Sequence, residues 1–345
     1  MSWLRSDSIA GVPQEILDAL QACNGGVALP YGEDTLSRRL DERFSAVFGA
    51  PVRVFPVTSG TAANALALAS LAGAFDLIAC HADAHSFASE TGATELLSGG
   101  ARFLHLPGTH GRIDPFAAAT RIDDALRGGD KAYRLAALTV TQLTEAGTAY
   151  RPQALRALGE LARGHGLRLH VDGARFANAV AALDVDPAEL SWRAGAHALS
   201  FGATKNGTMC ADAVVFFDAD LVGDVPRRRK RTGQDLSKTR FLAAQLLAYL
   251  ENDLWLRNAR HANAMARRLA DAVEASADLA LLHPVEGNML FVATTQDRLE
   301  SLARAGLPLR VRSTLPDGRR VCRLVTSFAT THEEVRRFAA VVAAH

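Results

Sequence analysis

Short apolar runs alternate with amphipathic segments over the first two thirds of the chain. Seven runs have the length and apolar content of buried strands, and three longer segments repeat apolar residues every three to four positions, as helices do. The predicted strands are Val52–Val57, Asp76–Cys80, Arg102–Leu106, Leu135–Val140, Leu167–Val171, Ala196–Phe201 and Val214–Phe217. The predicted helices between them are Thr61–Ala72, Asp114–Leu126 and Pro152–His165.

The order of these elements predicts an α/β fold. Strands that alternate with helices form a mainly parallel sheet covered by helices on both faces. Ser237–Ala275 is predicted to be helical, with a break near Asn252. The remainder has a smaller α+β pattern, with strands near Met289–Val292, Leu309–Val311 and Val321–Val325 and a closing helix at Glu333–Ala344. We therefore expect an N-terminal arm (1–30), a large domain (31–247) and a small domain (248–345).

Composition narrows the class of protein. The chain has 345 residues, roughly twice an ordinary domain, and its net charge of +1 gives no general attraction to nucleic acid or anionic lipid. The basic run Arg227–Arg231 is expected to be a solvated or intersubunit face. We find no signal region and no membrane span, and we expect no metal site. The cysteines are far apart, as in a cytoplasmic protein with reduced thiols: Cys23, Cys80, Cys210 and Cys322.

The chain has only four lysines among its 38 basic residues, and one of them is in unusual surroundings. Lys131 follows a predicted surface turn, and Lys230 and Lys238 lie in charged sequence. Lys205 lies instead among Ala, Gly, Ser and Thr, close to the end of a predicted strand. A lysine that persists in such a segment is a candidate for chemistry.

Ligands of open parallel sheets bind beyond the carboxyl ends of the strands, so polar residues at those ends are candidates for a functional site. Ser59-Gly60-Thr61 follows a strand and begins a helix, where free backbone N–H groups can bind an anion. The alternative is an ordinary helix cap. Asp172 ends another strand, 33 residues before Lys205, although Asp-Gly is also a common turn.

Together these residues match the needs of pyridoxal phosphate (PLP). A lysine amine bonds to the cofactor, a carboxylate pairs with the ring nitrogen, and a helix start holds the phosphate. An arginine can grip a substrate carboxylate by two hydrogen bonds, and Arg175 and Arg323 are candidates. Either arginine alone could equally be part of a surface or interface ion pair.

An ordered set of strings extends this pattern over nearly the whole chain. The strings are Leu4-Arg5-Ser6-Asp7, Tyr31-Gly32-Glu33-Asp34, Ser59-Gly60-Thr61, Ala84-His85, His170-Val171-Asp172-Gly173-Ala174-Arg175, Thr204-Lys205, Arg229-Lys230-Arg231-Thr232-Gly233, Gly287-Asn288-Met289-Leu290-Phe291 and Arg323-Leu324-Val325-Thr326. With them the chain resembles the low-specificity L-threonine aldolases. These are PLP enzymes of the aspartate-aminotransferase fold (fold type I), which cleave β-hydroxy-α-amino acids to glycine and an aldehyde.

The resemblance implies a role for each matching residue. Lys205, beside Thr204, would carry the cofactor, Asp172 would pair with the ring nitrogen, and His85 would stack on the ring. Phosphate would be bound by Ser59, Gly60 and Thr61, and the substrate carboxylate by Ser6, Arg175 and Arg323. Relatives are usually homotetramers with active sites at a dimer interface. There Tyr31 and the run Arg229–Arg231, with Lys230 near the phosphate, would come from the neighbouring chain.

One departure from the family leaves the base that deprotonates the substrate β-hydroxyl open. Many relatives have a histidine in the loop that corresponds to Thr141–Gly147, and here the aligned residue is Glu145. His85 and Glu145 are therefore both candidates. Other functions also remain open: β-elimination or transamination on the same fold, a catalytically silent PLP carrier, or nucleic-acid binding through Arg227–Arg231.

Overall fold

The computed structural model describes residues 4–127 and 133–344; the predicted turn at Lys131 lies outside them. The strands of the main sheet are β1 (Arg53–Val57), β2 (Asp76–His81), β3 (Arg102–Leu106), β6 (Arg134–Thr141), β7 (Arg168–Gly173), β8 (Ala196–Phe201) and β9 (Asp212–Phe216). Their order is β1-β9-β8-β7-β6-β2-β3, and only β9 runs against the others. The predicted seven-stranded, mainly parallel sheet is confirmed, with strand ends shifted by two residues or fewer.

The helices are α1 (Gln14–Cys23), α2 (Thr35–Arg38), α3 (Leu40–Phe48), α4 (Gly60–Leu71), α5 (His85–Ala88), α6 (Ala93–Ser98), α7 (Pro115–Leu126), α8 (Pro152–Gly164), α9 (Phe176–Leu183), α10 (Val225–Arg231), α11 (Arg240–Leu250), α12 (Leu254–Glu274), α13 (Gln296–Arg304) and α14 (His332–Ala344). The predicted break near Asn252 is confirmed: a left-handed backbone at Asn252 and Asp253 separates α11 from α12. The proposed domain boundary at residue 247 lies in α11, and the division into domains stays a prediction.

Helices cover both faces of the main sheet. On one face α4 packs against the sheet, and its apolar side chains form a core with Phe55, Val57 and Ile78. On the other face, Phe44 of α3 meets Phe201 of β8 edge to face, with ring centroids 5.1 Å apart. A helix that is apolar on nearly all sides, as α4 is, must be buried. Its one buried amide side chain, Asn64, therefore needs polar partners, and these lie in the site described below.

The C-terminal part has a four-stranded antiparallel sheet and a core of its own. Its strands are β10 (Ala280–Leu281), β11 (Met289–Thr294), β12 (Val311–Thr314) and β13 (Arg320–Val325), in the order β10-β11-β13-β12. The core includes Leu290, Leu324 and Phe338, together with Leu4 of the N-terminal segment. The Val325 N–H also donates to the Leu4 carbonyl at 2.9 Å, so this segment is held against the small sheet.

One strand prediction was wrong in position. Leu309–Val311 was expected to be a strand, but β12 begins at Val311 and continues to Thr314. The apolar signal came from Leu307 and Leu309, which pack on the small core without pairing to another strand. Pro308 between them has no N–H to donate to a neighbouring strand. The true edge strand is exposed throughout, and so it has no hydrophobic pattern to predict it.

Other elements of the structure were not predicted, among them the helices α1, α3, α9 and α13. The β-hairpin of β4 (Gly108–Thr109) and β5 (Arg112–Ile113) was not predicted, because two residues carry no periodicity.

Within residues 4–127 and 133–344, no helix has the length and apolar character needed to cross a membrane.

Candidate active site

The carboxyl ends of β7 and β8 bring Asp172 and Lys205 to one edge of the sheet. The two strands pair in parallel, and the Gly202 N–H donates to the Gly173 carbonyl at 3.0 Å. A Cβ atom at Gly202 would lie 2.6 Å from Ala174, and one at Gly173 would lie 2.7 Å from the Ser200 carbonyl. Only glycine permits this close approach of the two strand ends.

The turn that carries Lys205 is fixed by buried polar contacts on both sides. Asp212 accepts hydrogen bonds from the N–H groups of Ala203 and Thr204, at 2.7 and 2.9 Å. The Asn206 amide donates to the Tyr249 hydroxyl at 2.6 Å. Lys205 itself makes no ion pair or hydrogen bond with any described residue. Its amine is held in place through the backbone and is free to react.

Lys205 and Asp172 line a cavity of about 250 Å³. The other residues around it are Ser8, Thr58, Ser59, Gly60, Thr61, Asn64, His85, Glu90, Ala174, Gly202, Thr204 and Asp212. The structure thus brings together every residue predicted to contact the cofactor except Lys230. A wider cleft of about 610 Å³ lies at the opposite, amino-terminal edge of β7 and β8 and contains none of the predicted site residues.

The start of α4 lies at one end of this cavity. Ser59 caps the helix, because its hydroxyl accepts a hydrogen bond from the Ala62 N–H at 3.3 Å. Nothing lies within 4 Å of the position that a Cβ atom of Gly60 would occupy. The preceding Thr58 is held by Gln234, which accepts from its N–H and its hydroxyl at 2.9 and 3.0 Å. The site has an open, positively polarised helix end that can bind an anion.

Asp172 lies at the other end of the cavity and is buried. One of its oxygens accepts from the Asn64 amide at 3.0 Å, and the other accepts from the Ala174 N–H at 3.1 Å. A carboxylate with these two donors retains lone pairs for a protonated ligand nitrogen. Beneath it, the buried His170 ring lies between the hydroxyls of Thr139 and Ser200, each at 2.9 Å. Burial lowers the pKa of His170 to about 4, so its ring is neutral.

His85 and Glu90 form a pair at the cavity wall. His85 Nδ1 lies 3.0 Å from Glu90 Oε1, and that oxygen also accepts from the Asn64 amide at 2.8 Å. The hydrogen bond to Glu90 raises the pKa of His85 above its ordinary value, against the effect of burial. Burial raises the pKa of Glu90, and the charge of Asp172 adds to this rise. His85 is more than one third exposed, and its Nε2 makes no hydrogen bond with a described residue.

Arg175 is already engaged by a carboxylate of this chain. Its Nε and Nη2 donate to Asp7, at 2.7 and 3.1 Å, and both side chains are buried. Asp7 also accepts from the Asn288 amide at 3.0 Å. Asp7 thus occupies Nε and one N–H of Nη2 of the arginine predicted to grip a substrate, and Nη1 and the second N–H of Nη2 are left for a ligand. Ser6 caps the short 3-10 helix that begins at Asp7 and accepts from the Ser8 N–H at 3.2 Å.

Of the two arginines predicted to bind the substrate, Arg323 is the one whose side chain has no carboxylate partner among the described residues. Its side chain makes no ion pair or hydrogen bond with the described residues, and its Nε is buried. Burial lowers the pKa of Arg323, and the charges of Arg312 and Arg175 add to this effect. Glu145 is within electrostatic reach of Arg175, His85, Asp172 and Lys205, and burial raises its pKa. Arg175, Arg323 and Glu145 therefore lie within electrostatic reach of one another.

Tyr31 and Lys230 do not line the cavity of their own chain. The Lys230 amine lies 4.3 Å from the centre of the Tyr31 ring and 3.5 Å from Asp235. Half of the surface of Tyr31 is exposed. Several charges of the basic run Arg227–Arg231 have partners within the chain. Asp224 pairs with Arg227, Asp235 lies near Arg229 and Lys230, and the Leu97 carbonyl accepts from Arg228.

Sequence reasoning assigned no role to four buried residues of the site, namely Asp7, Asn64, Glu90 and Asp212. Only Asn64 had a usable signal, since it is an amide inside an Ala- and Leu-rich helix. The other three are acids in short or irregular segments, where no periodicity separates a buried carboxylate from an exposed one. Among the described residues, no three His, Cys, Asp or Glu side chains are arranged to hold a metal ion.

Comparison with known proteins agrees with this geometry. The beta-eliminating lyase family model matches residues 4–297. The low specificity L-threonine aldolase of Pseudomonas aeruginosa is 39% identical over 335 residues, which cover 97% of this chain and 95% of the relative. That of Pseudomonas sp. (strain NCIMB 10558) is 37% identical, over 98% of this chain and 96% of the relative.

The structure of a threonine aldolase from Leishmania major superposes with a TM-score of 0.92 at 24% identity, covering 99% of this chain and 98% of that one. At this identity the match concerns the fold, which is that of the fold type I enzymes. The chain belongs to the beta-eliminating lyase family, and its resemblance to the low-specificity L-threonine aldolases is confirmed.

Proposed function

We propose that this protein is a PLP-dependent aldolase that cleaves L-threonine, L-allo-threonine or related β-hydroxy-α-amino acids, such as phenylserine, to glycine and an aldehyde. The observation that carries the proposal is the shared cavity of Lys205, Asp172 and the start of α4. Relatives 37–39% identical over almost their whole length are named low specificity L-threonine aldolases, which supports the same reaction here.

The cavity fits the cofactor in three places. The free N–H groups at Gly60 and Thr61 suit the phosphate, and the open space at Gly60 leaves room for it. The Asp172 carboxylate suits a protonated ring nitrogen, and the unpaired Lys205 amine suits covalent attachment. Two buried atoms of the cavity wall, Asn64 Oδ1 and Glu90 Oε2, have no partner within the described residues. Buried polar atoms of this kind call for a bound group or water.

Bound PLP would accept the electron pair that is released when the Cα–Cβ bond of the substrate breaks. Asp172 keeps the ring nitrogen protonated by its negative charge. Arg323 binds the substrate carboxylate through two N–H groups, Arg175 adds the N–H groups that Asp7 leaves free, and Ser6 adds its hydroxyl. Fixing the carboxylate determines which bond at Cα is cleaved, and this separates retro-aldol cleavage from deprotonation at Cα.

Cleavage also requires removal of the proton from the substrate β-hydroxyl. His85 can accept it at Nε2 when the ring is neutral. Glu145 is the second candidate, because a carboxylate with a raised pKa is a competent base. The aldehyde then leaves the site. A proton is returned to Cα, and this completes glycine.

We further propose that two chains complete each site. Tyr31 and Lys230 are adjacent in their own chain but lie outside its cavity, and a partner's phosphate would meet the Lys230 charge. A tetramer built of such dimers agrees with the family resemblance. The four free cysteines agree with a cytoplasmic protein.

A product assay on the purified protein tests the reaction. With L-threonine, L-allo-threonine and phenylserine as separate substrates, we expect glycine and the matching aldehyde in equal amounts. A 2-oxo acid with ammonia would indicate β-elimination, and a 2-oxo acid formed only with an added amino acceptor would indicate transamination. Either of these as the main product would contradict the proposal.

A further inference from the structure

We propose that Glu90 is a positioning residue that fixes which ring nitrogen of His85 carries a proton and the pH at which His85 can accept one. The inference rests on the proposed function, because it assigns His85 a part in proton transfer. It concerns a contact between two side chains of this chain, so it can also be examined without turnover.

Few hydrogen-bond donors lie near the Glu90 carboxylate. Its side chain is 1% exposed, and Oε1 has two neighbours, His85 Nδ1 at 3.0 Å and Asn64 Nδ2 at 2.8 Å. Asn64 uses its other amide proton for Asp172, at 3.0 Å. An ionised Glu90 therefore draws the proton of His85 onto Nδ1. The second nitrogen, Nε2, is left as an acceptor in the neutral ring, as a base requires.

Through Glu90 and Asn64, His85 is also linked to Asp172, the proposed partner of the cofactor ring nitrogen. The Asn64 amide donates to both carboxylates, at 2.8 Å to Glu90 and at 3.0 Å to Asp172, and so it connects them. The two negative charges repel each other in this buried site, and this repulsion costs free energy. A positive charge on His85 offsets that cost. Glu90 thus favours the charged ring, and His85 becomes a base only at higher pH than a free imidazole.

Other charges face the same ring. Glu145 and Asp172 also favour its protonated form, and Lys205 opposes it, but the hydrogen bond that His85 donates to Glu90 has the largest effect on the pKa of His85. None of these three groups makes a hydrogen bond to the ring. Removing the charge of Glu90 alone should therefore lower the pKa of His85, whereas removing a carboxylate that does not contact the ring should change it less.

Glu90→Gln separates charge from orientation. Glutamine has the same shape, and its oxygen can still accept from His85 and Asn64, so the ring keeps its tautomer and loses the neighbouring charge. Glu90→Ala removes both the charge and the support for the ring. The matched control is Glu95→Gln, since Glu95 lies on helix α6 and makes no hydrogen bond or ion pair with His85.

Deuterium exchange at the imidazole C2 atom, followed by mass spectrometry, gives the titration midpoint of His85 in the full-length protein. It should be measured with and without added PLP, with fragment ions that separate His85 from His81. We expect a lower midpoint in Glu90→Gln and an unchanged midpoint in Glu95→Gln. The acid limb of kcat/KM should move to lower pH by the same amount in Glu90→Gln, with a plateau within about tenfold of wild type.

For Glu90→Ala we expect a plateau reduced by about 10²-fold or more, because the ring loses its orientation. An unchanged His85 midpoint in Glu90→Gln would overturn the inference. A lower midpoint with an unmoved acid limb would also overturn it, because His85 would then not govern the reaction. Failure of the wild type to form glycine and aldehyde would overturn the proposed function instead, and it would leave the His85 midpoints as measured.

Discussion

Asp7 occupies two donor groups of Arg175, through hydrogen bonds of 2.7 and 3.1 Å between buried side chains. The arginine that follows the Asp172 strand is therefore only partly available to a substrate. Arg323 has no such partner among the described residues and repels Arg175. A substrate carboxylate between them would relieve that repulsion. We infer that a substrate carboxylate is bound by Arg323 together with the N–H groups of Arg175 that Asp7 leaves free.

Asp7→Asn should destabilise the protein and weaken substrate binding. Removing one partner of a buried ion pair leaves the other charge uncompensated, which costs about 3 kcal/mol in the free energy of unfolding. Calorimetry and KM measurements at pH 7 would show a lower Tm and a higher KM. The control is Asp317→Asn, because Asp317 pairs with Arg319 at the surface, and it should change neither quantity. A KM equal to that of wild type would contradict the positioning of Arg175.

The effect of Asp7→Asn should also depend on pH. Burial alone would raise the pKa of Asp7, but the adjacent Arg175 outweighs burial and lowers it below the ordinary value. A lowered folded pKa stabilises the protein above the unfolded pKa of about 3.9, and this contribution is lost as the pH falls through the folded pKa. The difference in Tm between wild type and variant should therefore narrow below about pH 4.

Asp172→Asn should preserve the fold and abolish most of the activity. Asparagine can still bond to the Ala174 N–H, but it has no charge to hold a proton on the ring nitrogen. We expect kcat/KM to fall by about 10²-fold or more, with an unchanged far-ultraviolet circular dichroism spectrum. Activity within about tenfold of wild type would show that Asp172 serves only the turn.

Two substitutions and their pH profiles distinguish the two candidates for the base that deprotonates the substrate β-hydroxyl. Glu90 raises the pKa of His85. The acid limb of the pH profile of kcat/KM should therefore lie above the usual imidazole pKa of about 6.5. His85→Asn should lower the rate sharply and remove this limb, whereas Glu145→Gln should mainly alter the preference between threo and erythro substrates. Loss of turnover of every diastereomer in Glu145→Gln, with His85→Asn largely active, would identify Glu145 as the base.

Lys230 should act on the neighbouring chain. Lys205→Ala and Lys230→Ala should each be inactive alone, and random mixing should restore activity. Half of the dimers would be mixed and each would contain one intact site of two, which gives about one quarter of the wild-type activity. Lys238→Ala serves as the control, because Lys238 is exposed and should be active by itself. No recovery in oligomers shown to be mixed would place Lys230 outside the site.

The main sheet could be predicted because its strands are buried on both faces and carry continuous apolar runs. The same reasoning failed at Leu309–Val311, where apolar residues pack on the small core without forming a strand, and at the exposed β12. Lys205, Asp172 and the helix start at Ser59 could be predicted too, because their positions at strand ends determine where they meet.

The partners of these residues could not be predicted. Asp7 meets Arg175 across 168 positions of the chain, and Asn288 meets Asp7 across 281. Sequence spacing contains no information on such contacts, which arise from packing of the N-terminal segment against the small sheet. Glu90 lies only five positions after His85, but the loop that brings them together has no periodic pattern. The occupation of Arg175 was therefore visible only in the structure.

Borohydride reduction followed by peptide mapping tests most directly whether the cavity of Lys205 and Asp172 holds the cofactor. The purified protein, incubated with PLP, should be yellow, and reduction should fix one pyridoxyl group per chain. We expect this group on Lys205, and we expect no label at any position in Lys205→Ala. A label on Lys230 or Lys238, or an equal label in Lys205→Ala, would contradict the proposed cofactor site.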